Sequence, residues 1–145
     1  VITYINFYGR YTNLATSLIT QNNLVLKTLR ESAVLTTSFV DSEIMNIQGA
    51  NQVQLLVCFT KGNSTGCRLK VEFSEDQSTW YQESMTSEFP SANDVEHTLV
   101  ARKISDTGNY AISIPVSASY LRASVQAVDS GDSTLLSVEA TAANI

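Results

Sequence analysis

Val53–Phe73, VQLLVCFTKGNSTGCRLKVEF, is the stretch that decides the fold class. Its first arm places Val53, Leu55, Val57 and Phe59 on one side. Its second places Cys67, Leu69, Val71 and Phe73 on one side and Arg68, Lys70 and Glu72 on the other. Apolar residues at every second position mark half-buried strands, because successive side chains of an extended chain point to opposite faces. Between the arms, Lys61-Gly62-Asn63-Ser64-Thr65-Gly66 is rich in residues that accept the backbone of a tight turn, so a β-hairpin is expected. A two-residue turn at Gly62-Asn63 would set Cys58 opposite Cys67, where a cross-strand disulfide fits, but would put Leu55, Val57 and Phe59 on the face of Arg68 and Lys70. A register one residue away gathers the apolar residues of both arms on one face and sends Cys58 to the other. That second register keeps the apolar pattern whole, and two free thiols are expected from it. With no basic stretch followed by an apolar one in the opening residues, free thiols predict synthesis in a cytoplasm.

The same reading extends outward. Phe73–Tyr81 reads as strand, tight turn and strand, with Ser74 and Asp76 placed to accept the turn's backbone amides. Trp80, the one Trp, is expected in the core. Further strands are predicted at His97–Ile104, Tyr110–Ile114, Tyr120–Val128 and Thr134–Thr141, with turns at Asp106–Asn109 and Asp129–Asp132. Pro115 lacks an N–H and marks a strand end or a sheet edge. Short strands, frequent turn signals and no helical period predict an all-β, antiparallel β-sandwich, jelly-roll- or Ig-like. At 145 residues the chain is one ordinary domain, long enough to bury a core without staples.

Residues 1–30 read differently from residues 31–145. They hold Arg10, Lys27 and Arg30 and no acid, a charge of +3 within a chain of net charge −5, which leaves −8 for the rest. The expected division is an N-terminal arm over 1–30 and a sandwich domain over 31–145. Tyr4, Phe7, Tyr8 and Tyr11 fall at helical spacing, yet β-branched residues are frequent there, so the arm's form stays open. Asn13–Thr20 and Leu24–Arg30 are candidate strands. Four of the eleven Tyr and Phe residues lie in the first eleven positions, beside Arg10. Aromatic residues and Arg are enriched where proteins meet, so Tyr4, Phe7, Tyr8, Arg10 and Tyr11 are candidate protein-interface residues. The competing reading is that they fold onto the domain's own core.

Chemistry-bearing patterns are scarce. His97, in Asp94-Val95-Glu96-His97, reads as a solvated histidine among acids, since no second His is present and the two Cys lack zinc-site spacing. No nucleophile elbow, dinucleotide fingerprint or phosphate loop occurs. Asp129, Asp132 and Glu139, or Asp41 and Glu43, could serve calcium, but acids at such places ordinarily shape turns. No catalytic residue, metal or cofactor is expected, and the chain is read as a non-enzyme. The net negative charge opposes nucleic acid as a partner, and no apolar run reaches eighteen residues, so no membrane span is expected.

The segments Ile47-Gln48-Gly49-Ala50, Val53–Thr60, the Lys61–Gly66 loop, Val71–Asp76 with Trp80-Tyr81, Gly108-Asn109-Tyr110, Ile114-Pro115-Val116 and Tyr120-Leu121-Arg122 together resemble virion proteins of tailed bacteriophages. The resemblance covers about two-thirds of the chain, and the first 46 residues show no matching motif. It implies a structural virion protein, a capsid decoration or head-fibre component, made in the host cytoplasm and residing in the virion. The implied partners are the major capsid protein or another virion protein and further copies of the chain, a trimer being favoured. A Ser-x-Asp turn followed by Trp also occurs in carbohydrate-binding sandwiches. A carbohydrate- or receptor-binding module using Trp80 and Tyr81 is therefore the alternative.

Overall fold

Residues 24–89, 94–129 and 133–145 are described by a computed structural model of the chain. Twelve strands run in order: β1 (Val25–Val34), β2 (Val40–Asp41), β3 (Met45–Asn46), β4 (Gln52–Thr60), β5 (Cys67–Ser74), β6 (Tyr81–Gln82), β7 (Ser84–Phe89), β8 (Asp94–Leu99), β9 (Arg102–Ile104), β10 (Gly108–Pro115), β11 (Tyr120–Ala127) and β12 (Leu135–Ala143). None of the described residues is helical. All pairings are antiparallel.

One sheet has the order β1-β12-β4-β10. In the other, β11 and β5 form the centre, β2 and β3 lie end to end along β11, and β6 and β9 lie end to end along β5. Counting each broken edge as one strand gives eight strands in two four-stranded sheets. Their order, 1-8-3-6 over 2-7-4-5, is that of a jelly roll, which decides between the two sandwich types expected. The core lies between the sheets. Val53, Leu55, Val57 and Phe59 of β4 face Leu69, Val71, Leu121, Ala123 and Val125 across it, all buried.

Two expectations of pairing need correction. β4 and β5 do not form a hairpin. Cys58 of β4 stands opposite Ser137 and Asn109, while Cys67 of β5 stands opposite Ala127 and Ile104. The Lys61–Gly66 loop therefore carries the chain from one sheet to the other. Alternation says that each strand buries one face; it does not say whether two such faces lie side by side in one sheet or oppose each other across a core. The loop is adapted to the crossing. The Asp129 carboxylate accepts hydrogen bonds from the Thr65 amide at 3.0 Å and the Ser64 hydroxyl at 2.9 Å, and Thr134 donates to the Lys61 carbonyl at 2.7 Å. The bonds from Thr65 and Ser64 hold the Asp129 carboxyl below the usual carboxylate range. Gly62 has φ +58°, and a Cβ there would sit 2.3 Å from the Ser133 carbonyl oxygen, so the approach of the two crossing loops requires glycine. Both thiols are free, with Cys58 exposed and Cys67 buried, as expected, although the reason is their placement in different sheets.

The strand expected over His97–Ile104 is interrupted at Val100-Ala101, because its halves pair with different partners: β8 with β7 and β9 with β5. β1 spans residue 30, so residues 25–30, assigned above to the arm, form the start of a sandwich strand along β12. Its apolar anchor, Leu29, is buried. The hairpin at Ser74–Thr79 is present as read. Asp76 accepts the amides of Ser78 and Thr79 at 2.9 Å each, Ser74 Oγ accepts that of Gln77 at 2.8 Å, and Phe73 pairs with Tyr81.

Candidate functional site

The outward face of the β11/β5 sheet is charged and closed. Arg122 Nε donates to Glu72 Oε1 at 2.8 Å, its guanidinium lies 3.3 Å from Asp41 Oδ2, and it stacks on the Trp80 ring at 4.2 Å from the centroid. Lys70 lies over the Phe39 ring at 4.5 Å. Ser124, fully buried, donates to Asp41 at 2.9 Å, and Gln126 donates to the Thr37 carbonyl at 2.8 Å. The connection after β1 thus folds back over this face and lends Thr37, Phe39 and Asp41 to it. Trp80, expected in the core, is instead half-buried on this outer surface, because the turn held by Ser74 and Asp76 returns the chain beside β5 rather than between the sheets. With Arg122 on its ring, Trp80 is engaged within the molecule, which weakens the carbohydrate-platform alternative; Tyr81 beside it is exposed.

The outward face of the β12/β4/β10 region is the opposite. Its side chains are short or uncharged, with Leu56 and Cys58 beside Asn109, Ala111 and Ser137 around a shallow depression. Glu139 is the one formal charge among the outward positions of these three strands. Leu56 is 40 % exposed at its centre.

Two further features stand out at the flanks. Between β6 and β9 the chain leaves the edge of the sheet as a two-stranded ribbon, β7–β8, and returns to the same edge. Its base is clamped: Arg102 grips Glu83 with two hydrogen bonds at 2.7 and 3.0 Å, the Val100 amide donates to the Glu83 carbonyl at 2.8 Å, and Gln82 donates to the Val100 carbonyl at 2.9 Å. Ser84–Ser87 and Val95–Leu99 are exposed throughout, so both faces of the ribbon are bare along these residues. Of this ribbon the sequence pattern marks only the end of β8, as part of the strand expected from His97, since 82–96 has no apolar alternation. At the other flank, β1 is the edge strand among the described residues, and its first residues, with Leu24 before them, are exposed.

The sequence-derived interface residues Tyr4, Phe7, Tyr8, Arg10 and Tyr11 lie outside the described residues. His97 sits exposed on the ribbon opposite Thr86. Of the acids considered for calcium, Asp132 lies outside the described residues, Asp129 serves the crossing loop and Asp41 serves Arg122 and Ser124, and no group of three or more His, Cys, Asp or Glu among the described residues is placed to hold a metal ion. No described helix is long and apolar enough to cross a membrane.

No known protein family matches the sequence, and no curated protein matches it either. Seven chains of known structure match the fold. One is the SPBc2 prophage-derived protein YomS, at a TM-score of 0.50 and 14 % identity, over 84 % of this chain and 94 % of that one. At such identity the likeness shows a shared fold, and it runs through nearly the whole of both chains.

Proposed function

We propose that this chain is a structural component of a phage particle, a capsid decoration or head-fibre protein. It binds the major capsid protein or another virion protein through its N-terminal segment and assembles with further copies of itself, as a trimer. One observation carries the reading: the end-to-end likeness in fold is to a protein of prophage origin. The jelly roll itself serves capsid proteins, lectins and cupins alike, and so does not choose among them.

The mechanism is burial of interface area. The first eleven residues offer Tyr4, Phe7, Tyr8 and Tyr11 with Arg10, side chains that bring large contact area at low cost in ordering. The body beyond residue 30, with charge −8, stays hydrated. Association of this kind needs no reacting group.

The test is fractionation of particles on a density gradient. The expected result is the protein at a fixed, high number of copies per particle. Replacing Tyr4, Phe7 and Tyr8 by Ala should leave the melting temperature unchanged and release the protein from particles. Absence from purified particles, or retention of the triple variant on them, overturns the reading.

A further inference from the structure

We infer that one end of the charged face binds a phosphate-like dianion, a phosphate monoester or sulfate group, between Arg68, Lys103 and Lys70. The inference goes beyond the virion reading and does not depend on it.

Arg68 and Lys103 stand directly opposite each other across β5 and β9. Opposed residues of an antiparallel pair share a face. The neighbours of Arg68 on β5, Cys67 and Leu69, are buried, so Arg68 and Lys103 both point outward. Like charges placed directly opposite one another are destabilising. Lys70 follows Arg68 by two residues and takes the same face. Three cations therefore border one patch of roughly 5 by 7 Å.

The other bases of this sheet are matched to acids: Arg122 with Glu72 and Asp41, Arg102 with Glu83, and Lys70 with Glu72 at 3.9 Å. Neither Arg68 nor Lys103 forms an ion pair among the described residues. The acids nearby are engaged elsewhere, Glu72 by Arg122 and Lys70, and Asp129 by Thr65 and Ser64. Residues 1–23 contain no Asp or Glu, so the N-terminal arm cannot supply the missing charge. In a chain of net charge −5, two opposed bases without an acid call for an anion from outside.

Arg68 is also aimed. Its Nη1 donates to Gln126 Oε1 at 3.4 Å, and Gln126 Nε2 in turn donates to the Thr37 carbonyl at 2.8 Å. The half-buried guanidinium is thus steadied from the β11 side, and its remaining N–H groups are left for a ligand.

Cover and charge set the size of that ligand. Phe39 packs on Lys70 and Trp80 on Arg122, so the face beyond the patch is closed to a broad partner. The acidic body repels a long polyanion. A phosphate monoester brings about 1.5 to 2 negative charges and three acceptor oxygens at neutral pH. A planar guanidinium opposite an ammonium suits that charge and shape. A carboxylate would neutralise only one of the two opposed bases.

The test is a titration of the full chain with inorganic phosphate at constant ionic strength, followed through the backbone amide resonances of Arg68, Lys70 and Lys103. The expected result is a saturable shift at these amides. Lys103→Gln should weaken binding roughly tenfold, the worth of one charge-assisted hydrogen bond. Arg68→Gln together with Lys103→Gln should abolish it. Without phosphate, Lys103→Gln should melt higher than the wild type, because it relieves the opposed charges; the same result shows that the variant is folded. Shifts that do not saturate, or that persist in the double variant, overturn the inference. So does a Lys103→Gln variant that melts lower than the wild type without phosphate. Acetate binding as tightly as phosphate overturns the choice of a dianion. A single-stranded oligonucleotide that binds the same residues more tightly than phosphate overturns the choice of a compact ligand.

Discussion

Along β11 and β5 the outward side chains include Arg122, Ser124, Gln126, Arg68, Lys70 and Glu72; along β12, β4 and β10 they include Ser137, Leu56, Cys58, Asn109, Ala111 and Ser113. The first face has its charges in contact with partners, with Asp41, Trp80 and Phe39 brought in from neighbouring segments. The second has almost no charge and nothing described lies over it. The contrast shows that the more chemically conspicuous face need not be the one available for binding. A partner docking on the charged face must displace Trp80 or Phe39 and break satisfied ion pairs, whereas a partner docking on the plain face desolvates small and apolar groups at little cost.

The largest measurable difference between exposed face and interior is in thiol reactivity. Cys58 lies on the plain face, and Cys67 lies in the core, where burial pushes its thiol up to about 11. Cys58 is expected to react with a thiol reagent in the native protein, and Cys67 only through unfolding. Against a typical stability of ~5 kcal/mol or more, the two rates should differ by at least ~1000-fold. Peptide mapping after timed labelling gives both rates. Comparable rates would mean that the sandwich opens readily on that side.

Next in size is the charged network. Arg122→Met keeps the bulk of the stem but leaves Glu72, a side chain 12 % exposed, with Lys70 at 3.9 Å as its remaining ion pair. Removing one partner of a largely buried pair strands the other, so a loss of about 2 kcal/mol is expected in urea unfolding. The stack of Arg122 on Trp80 contributes a further coupling. A double-mutant cycle with Trp80→Ala should return an interaction of about 1 kcal/mol. A cycle that returns nothing would mean that Trp80 covers the network without binding to it.

These two faces were unequally legible from the residues. The strands at 53–60, 67–73, 110–114, 120–128 and 134–141 announce themselves because each buries one apolar face, and period two is visible in any window that long. Strand partnership is not local. The β4–β5 crossing and a hairpin share the same alternation and the same turn residues, and only the bonds from Asp129 and Thr134, over sixty residues away, separate them. Trp80 misleads for a related reason: size predicts burial, but a tight turn beside an outward Arg offers cover without entry to the core. Of the ribbon only the end of β8 shows in the sequence, as part of the strand expected from His97, since strands exposed along both faces have no period to find. Cys58 and Cys67 are free, as the alternation predicts even with the pairing corrected, because alternation fixes which face a side chain takes and not which strand lies beside it.

The smallest expected effect is the sharpest test of the plain face. Leu56 is the largest apolar side chain at its centre and is opposite Ala111 and Glu139. Being 40 % exposed, it gains little by folding, and Leu56→Ser should change stability by no more than about 0.5 kcal/mol. Its neighbours need no rearrangement, because the depression beside it already admits water. A loss of 2 kcal/mol or more would instead mean that Leu56 is covered in solution. The concentration dependence of that loss then tells what covers it: a midpoint that falls on dilution in the wild type but not in the variant identifies another copy of the chain, and a concentration-independent loss identifies the chain itself.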